Sequence, residues 1–297
     1  MRFVIAGASG FLGQALRDHL ARQGHDVVRL VRGTSVSSHE SSWDPYQGKV
    51  DQGVIDSADV VVNLAGAPIA RWPWTAAYKR TLRDSRVATT RTLADAVASS
   101  PGKPVFLAQN GISGYGDRGD EVLTEDSSTP GRTVLGQVTL DWQEATEPAD
   151  DAGARVCVMR TSVVLDRRGS VLKPLLPLFR AGLGGPLGDG RQYFPTISLE
   201  DWLRAVTFLA TNDQCRGVYN LSAPNPTTNE EFTKQLGRML NRPTLVRAPA
   251  WPMRKVLGAL SDELLNSVRV EPARLLDAGF VFGQPTLEER LASAMTP

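Results

Sequence analysis

Three glycines, at positions 7, 10 and 13, carry the strongest chemical signal in this 297-residue chain. They stand in the run Gly7-Ala8-Ser9-Gly10-Phe11-Leu12-Gly13, which follows an apolar stretch and opens a helical pattern. The chemistry open to such a run is anion binding by the backbone. Gly7 permits a tight turn, Gly10 lets the main chain approach a pyrophosphate, and Gly13 permits close packing of helix on strand. The unbonded N–H groups and the dipole at the helix start favour the phosphates. Gly7, Ser9, Gly10, Phe11, Leu12 and Gly13 are therefore expected to cradle a dinucleotide. The plain alternative is a tight turn with no ligand.

The next strand ends in Leu30-Val31-Arg32-Gly33-Thr34-Ser35. An acidic residue there would hold the ribose 2′-hydroxyl of NAD. Arg32 instead suits a 2′-phosphate, with Thr34 and Ser35 as hydroxyl donors, so the expected cofactor is NADP(H). A solvated loop arginine is the alternative. After the third strong apolar run come Asn63, Leu64, Ala65 and Gly66, whose last two small residues leave room for a planar group.

The elements that must hold these residues are legible from periodicity. Strands are expected at 3–6, 27–31, 60–64, 105–108 and 155–159, and helices at 11–23, 75–98 and 133–149. Strand–helix alternation of this kind predicts an α/β fold with a doubly wound parallel sheet. Past Arg160 the character changes: a glycine-rich loop at 182–190, a helix at 201–210, a strand at 218–221, and helices at 229–240 and 287–295. The expected division is a dinucleotide-binding domain at 1–163, joined by a returning helix and strand at about 199–222. A smaller substrate lobe takes 164–198 and 223–297.

The G-x-x-G-x-x-G spacing resembles that of the short-chain dehydrogenase/reductase superfamily, in its extended, epimerase-like branch. Asn63-Leu64-Ala65-Gly66-Ala67-Pro68, Arg71-Trp72, Lys79, Ser85-Arg86 and Thr90-Arg91 are similar to the sugar-nucleotide epimerase-like, "cell-division inhibitor" SulA-type proteins of that branch. So are Gly114-Tyr115-Gly116, Gly184-Gly185-Pro186-Leu187-Gly188-Asp189-Gly190-Arg191-Gln192 and Tyr219-Asn220-Leu221-Ser222-Ala223-Pro224. The resemblance covers essentially the whole chain. It implies an NADP-binding domain with a C-terminal substrate lobe, Asn63 to Gly66 against the adenosine half, and Arg86 among the cofactor residues.

Active members of the superfamily use a Ser or Thr after the strand at 105–108, then Tyr-x-x-x-Lys on the next helix. Residues four apart share a helix face, so the lysine can lower the tyrosine's pKa for acid/base work. Here the helix at 133–149 contains neither tyrosine nor lysine. Leu135 and Thr139 fall at the two positions, and Trp142-Gln143 stands where the family commonly has Trp-Glu. The remaining acid/base candidates are Tyr115 and Ser113, with Glu125, Asp126 and Lys79 behind them. Gly188, Arg191 and Gln192, in or beside the glycine-rich loop, are candidates for holding an anionic substrate. A flexible surface loop is the alternative reading.

Composition narrows the partners. Thirty-three basic against thirty-two acidic residues leave a net charge of +1, without the footprint of a nucleic-acid or anionic-membrane binder. No run is long enough to span a bilayer. The two cysteines, Cys157 and Cys215, and three histidines have no metal-ligand spacing. The expected setting is cytoplasmic and the expected partner a small, anionic or nucleotide-linked molecule. Two functions are consistent with these residues: an NADP(H)-dependent oxidoreductase or epimerase, or an NADP(H)-binding sensor that has lost its catalytic set.

Overall fold

The computed structural model describes residues 1–35, 37–169 and 171–296. The strands are β1 (Arg2–Ala6), β2 (Asp26–Val31), β3 (Glu40–Asp44), β4 (Lys49–Val50), β5 (Val60–Asn63), β6 (Val105–Gly111), β7 (Val122–Leu123), β8 (Val156–Thr161), β9 (Val163–Leu165), β10 (Thr196–Ser198), β11 (Gly217–Leu221) and β12 (Arg269–Val270). The longer helices are α1 (Phe11–Arg22), α2 (Gln52–Asp56), α3 (Ala76–Ser99), α4 (Val134–Glu144), α5 (Glu147–Asp151), α6 (Leu172–Arg180) and α7 (Leu199–Thr211). They are followed by α8 (Asn229–Met239), α9 (Ala250–Leu257), α10 (Asp262–Leu265), α11 (Ala273–Asp277) and α12 (Leu287–Met295).

Eight strands form one sheet in the order β11-β8-β6-β5-β1-β2-β3-β4. All neighbours are parallel except β3 and β4. The chain leaves β1 outward in one direction through β2 and β3, then returns past β1 to lay down β5, β6, β8 and β11 on the other side. The strand order therefore reverses between β1 and β5, and a crevice opens there at the carboxyl ends.

Side chains alternate across each strand, and both sheet faces are apolar. Phe3 and Ile5 of β1 join Leu16, Leu20, Leu107, Trp202 and Val206 under α1 and α7. Val4 and Ala6 join Val28, Leu30, Leu93, Val97 and Phe106 under α3. A third cluster, with Leu172, Phe179, Phe194, Phe232, Leu236 and Leu291, is the core of the second lobe.

The expected helix at 133–149 is two helices. α4 closes at Glu144, and Pro148 falls in the first turn of α5, where a missing N–H costs nothing. One segment before the last helix departs from the expected lobe. Leu275, Phe280 and Phe282 pack into the core beneath the sheet with Trp202. Buried Asp201 ties them down, accepting from the N–H groups of Gly283 and Gln284 at 2.8 Å each. No helix among the described residues is long and apolar enough to cross a membrane.

Candidate functional site

The crevice begins at Gly7, which leaves β1 with a positive φ of 80°. A Cβ there would lie 2.6 Å from the carbonyl carbon of Leu64 and 2.7 Å from the nitrogen of Ala65. Only glycine therefore lets the ends of β1 and β5 approach this closely. The Gly10 N–H closes the turn on the Gly7 carbonyl at 3.0 Å, and α1 starts at the next residue. Among the described residues no side chain caps this helix, and the N–H groups of its first turn, from Phe11, Leu12 and Gly13, lack helical acceptors. A Cβ on Gly13 would sit 2.2 Å from the Gly7 carbonyl oxygen, whereas one on Gly10 would meet only that oxygen, at 3.4 Å. Gly13 thus seals the turn from behind, and Gly10 presents bare backbone to the open side.

That side is a cleft of about 550 Å³, lined by Gly7 to Gly10, by Leu30 to Arg32 and by Leu64 to Pro68. Its size lies within the range for cofactor and ligand pockets, roughly 300–1,000 Å³. Arg32 is exposed on its rim. Among the described residues no hydrogen bond or ion pair occupies its guanidinium. Thr34 and Ser35 are exposed in the following loop. Ser42 of β3 shapes that loop, donating to the Gly33 carbonyl at 2.6 Å and accepting from the Ser35 N–H at 3.0 Å. The side of the cleft away from the glycines includes Trp43, Pro45 and Tyr46. Sequence reading missed these, because a five-residue strand with two serines and an aspartate has no apolar run.

Two expected cofactor residues stand behind the wall instead of on it. Asn63 is fully buried. Its Oδ1 accepts from the Ala65 N–H at 3.0 Å, and its Nδ2 donates to Thr90 Oγ1 at 2.8 Å. Arg86 is buried too, and donates to the carbonyls of Leu82 (2.9 Å) and Ala67 (3.0 Å). Its guanidinium lies 5.1 Å from the Trp142 ring centre, and burial brings its pKa down to about 10. Both residues fix the Leu64–Ala67 turn whose main chain faces the cleft.

The catalytic expectations divide. Tyr115 does not face a cleft. It is fully buried, and its hydroxyl donates towards Asn220 Oδ1 (2.8 Å) and the Thr124 carbonyl (3.0 Å) while accepting from Arg160 Nη1 (2.9 Å). Burial pushes its pKa up, against the pull of Arg160. A hydroxyl so enclosed is a structural crosslink, and its expected acid/base role is corrected accordingly. Arg160 also donates to Gln143 Oε1 at 3.0 Å, so the glutamine found in place of the family's glutamate has a defined partner. Glu125 is buried and accepts from the backbone N–H groups of Asn220 (2.8 Å) and Arg274 (3.3 Å).

Ser113 has a different setting. It lies in the 3-10 turn Ile112–Tyr115 that continues β6, at the carboxyl edge of the sheet. Its Oγ donates to Glu263 Oε2 at 2.6 Å, across 150 residues of sequence. Burial raises the Glu263 carboxyl to about 7, opposed by the Ser113 hydrogen bond and reinforced by the negative charge of Asp262. Nothing in the sequence marks this pair, since Ser261-Asp262-Glu263 reads as an ordinary acidic helix start. Leu135 and Thr139, at the superfamily's tyrosine and lysine positions, are inert. Leu135 packs with Trp74, Tyr78, Leu82 and Val138, and Thr139 Oγ1 donates to the Gly136 carbonyl at 2.7 Å.

The glycine-rich loop is built into the lobe. Gly188 N–H donates to the Ala248 carbonyl at 2.8 Å, and Ala248 N–H to the Pro186 carbonyl at 3.0 Å. Gln192 is buried, with Nε2 donating to the carbonyls of Leu187 (3.0 Å) and Leu264 (3.2 Å). Gly188 lies against Leu265. Both residues therefore brace α10, the helix that carries Glu263. Arg191 is exposed, and its N–H donates to Asp189 Oδ1 at 3.0 Å.

A parallel sheet reversing its strand order at a glycine turn, with an uncapped helix start beside it, defines a Rossmann-type dinucleotide-binding protein of the extended short-chain dehydrogenase/reductase kind. The chain belongs to the NAD dependent epimerase/dehydratase family, whose sequence profile matches residues 3–222. A domain of unknown function, DUF1731, matches residues 248–294 and so contains Glu263. An epimerase family protein of Mycobacterium bovis is 42% identical over 98% of this chain and 97% of its own length. The crystal structure of human epimerase family protein SDR39U1 with NADPH superposes with a TM-score of 0.90 at 31% identity, covering 99% of both chains. A nucleoside-diphosphate sugar epimerase from Corynebacterium glutamicum gives a TM-score of 0.82 at 33% identity, covering 99% of this chain and 58% of that one.

Proposed function

We propose that this protein binds NADP(H) in the cleft between β1 and β5 and uses it as an oxidoreductase or epimerase on a small, anionic or nucleotide-linked substrate in the cytoplasm. The observation that carries this reading is Arg32. It stands on the rim of the cleft where an NAD-selective site would place a carboxylate, with no partner for its guanidinium among the described residues. The bare backbone at Gly10 and the first-turn N–H groups of α1 suit the pyrophosphate. The human relative, crystallised with NADPH, supports the same cofactor. The cofactor supplies hydride chemistry when bound, and the protein supplies position and proton transfer.

A second reading, a sensor that binds NADP(H) without turning it over, is favoured by one observation: α4 offers Leu135 and Thr139 where the tyrosine and lysine belong. Absorbance at the reduced-nicotinamide band separates the two. A substrate-dependent change with any member of a panel of carbonyl compounds and sugar nucleotides supports the enzyme. NADPH binding with no change across the panel supports the sensor.

A further inference from the structure

We infer that Ser113 and Glu263 form the proton-transfer pair of this site, with the C-terminal lobe contributing a carboxyl in place of the missing tyrosine–lysine pair. This rests on the NADP(H) reading above. Three observations on geometry support it. Ser113 follows β6 at the carboxyl edge of the sheet, the edge on which ligands of open α/β folds bind. Its hydroxyl is 2.6 Å from Glu263 Oε2, a distance suited to direct proton exchange. α10 is also braced in place: Gln192 holds the Leu264 carbonyl, Gly188 abuts Leu265, and the Asn266 N–H bonds back to the Asp262 carbonyl at 3.0 Å.

The environment sets the carboxyl for this work. The groups acting on it are Ser113 from the β6 turn and Asp262 on its own helix, and among the described residues no cation pairs with it. Burial without a counter-charge keeps a carboxyl protonated towards neutral pH, here to about 7. A carboxyl titrating near 7 can both give and take a proton in the cell. Tyr115 is the only other tyrosine or serine candidate on this turn, and its hydroxyl is fully engaged.

The transfer balances as follows, with NADPH as reductant and NADP⁺ as oxidant. As a substrate carbonyl carbon gains a hydride, its C–O π pair moves to the oxygen. The Ser113 O–H bond breaks, and its proton forms the new alcohol O–H. The Glu263 carboxyl proton passes to the Ser113 oxygen, and the carboxylate left behind takes a proton from water. Alcohol oxidation runs each transfer backwards.

A test that needs no substrate uses the charge of the nicotinamide ring. The ring is positive in NADP⁺ and neutral in NADPH. A positive ring near Glu263 lowers its pKa by roughly 1–3 units, which releases about 0.4–0.5 proton per site at pH 7. Calorimetry of NADP⁺ and NADPH binding in two buffers of different ionisation enthalpy counts those protons. The expected result is release with NADP⁺, little or none with NADPH, and loss of the difference in Glu263→Gln. Ser113→Ala should move the pH of maximal release upward, because the carboxylate loses its donor. NADP⁺ binding without proton release, or equal release from wild type and Glu263→Gln, overturns the pair while leaving the cofactor reading intact. Failure of both nucleotides to bind overturns both.

Discussion

Gly7 and Gly10 belong to one motif, but their substitutions to alanine should fail in opposite ways. Gly7→Ala places a Cβ 2.6 Å from the backbone of Leu64 at a φ of 80°. The left-handed conformation costs about 1–2 kcal/mol for a residue with a Cβ. The overlap is with main chain, which no rotamer change relieves, and adds about 1–3 kcal/mol. The sum is about 2–5 kcal/mol. With an unfolding entropy of about 2.1 cal/mol/K per residue, a chain of this length should lose roughly 3–8 °C in Tm. Gly10→Ala differs. Gly10 has φ −75° and ψ 171°, which any residue adopts, and its Cβ would touch only the Gly7 oxygen at 3.4 Å. Its stability cost is that of a weaker N-cap, below about 1 kcal/mol. The new methyl does, however, stand over the backbone that approaches the pyrophosphate. Loss of one charge-assisted hydrogen bond, about 1.5–3 kcal/mol, weakens NADPH roughly 10- to 150-fold. Differential scanning fluorimetry without nucleotide, and NADPH titration of both variants, check the contrast. A Gly10→Ala protein as unstable as Gly7→Ala, or one binding NADPH like wild type, refutes the reasoning.

Tyr115→Phe should cost about 1–3 kcal/mol, because Arg160 Nη1 and Asn220 Oδ1 lose a buried partner; nucleotide affinity, measured on the folded variant, should stay unchanged, and a large affinity loss would return Tyr115 to the site. Glu263 makes stability pH-dependent. Its folded pKa, about 7, lies above its usual 4.5, so its proton is held more tightly in the folded state. The protein should therefore lose up to about 3 kcal/mol from this group as pH rises from 4.5 through 7. Glu263→Gln should remove that loss, with denaturant midpoints at pH 5 and pH 8 as the readout, and an unchanged pH slope would contradict the burial of the carboxyl. Arg32→Asp should erase any preference for NADPH over NADH, since it removes a phosphate donor and installs the carboxylate that suits a ribose hydroxyl.

The parts of the site that were legible in the sequence depend on local rules. The glycine turn, β1, β2, β5, β6 and the helices α1 and α3 announce themselves through periodicity and backbone demands within a dozen residues. Gly7, Gly10 and Arg32 fall in or on the cleft for that reason. Asn63 and Arg86 were recognisable as special, but only the fold distinguishes a wall from the beams behind it. Tyr115 misled because position along the chain does not tell which way a side chain turns after a strand. Glu263 was invisible because its partner is 150 residues away and its local context is a helix start. The strand Glu40–Asp44 and the helix Leu172–Arg180 were missed too. The first has only one large apolar residue, and the second carries Pro174 and Pro177, which argue against a helix locally.

The most direct test of the account is a fluorescence titration of the purified protein with NADPH and, separately, with NADH. The account predicts tight binding of NADPH and binding of NADH weaker by roughly 10- to 150-fold, the difference made by one charge-assisted contact from Arg32 to the 2′-phosphate. Equal affinity for the two, or a preference for NADH, would contradict the assignment of Arg32. Binding of neither would mean that the cleft between β1 and β5 is a scaffold alone.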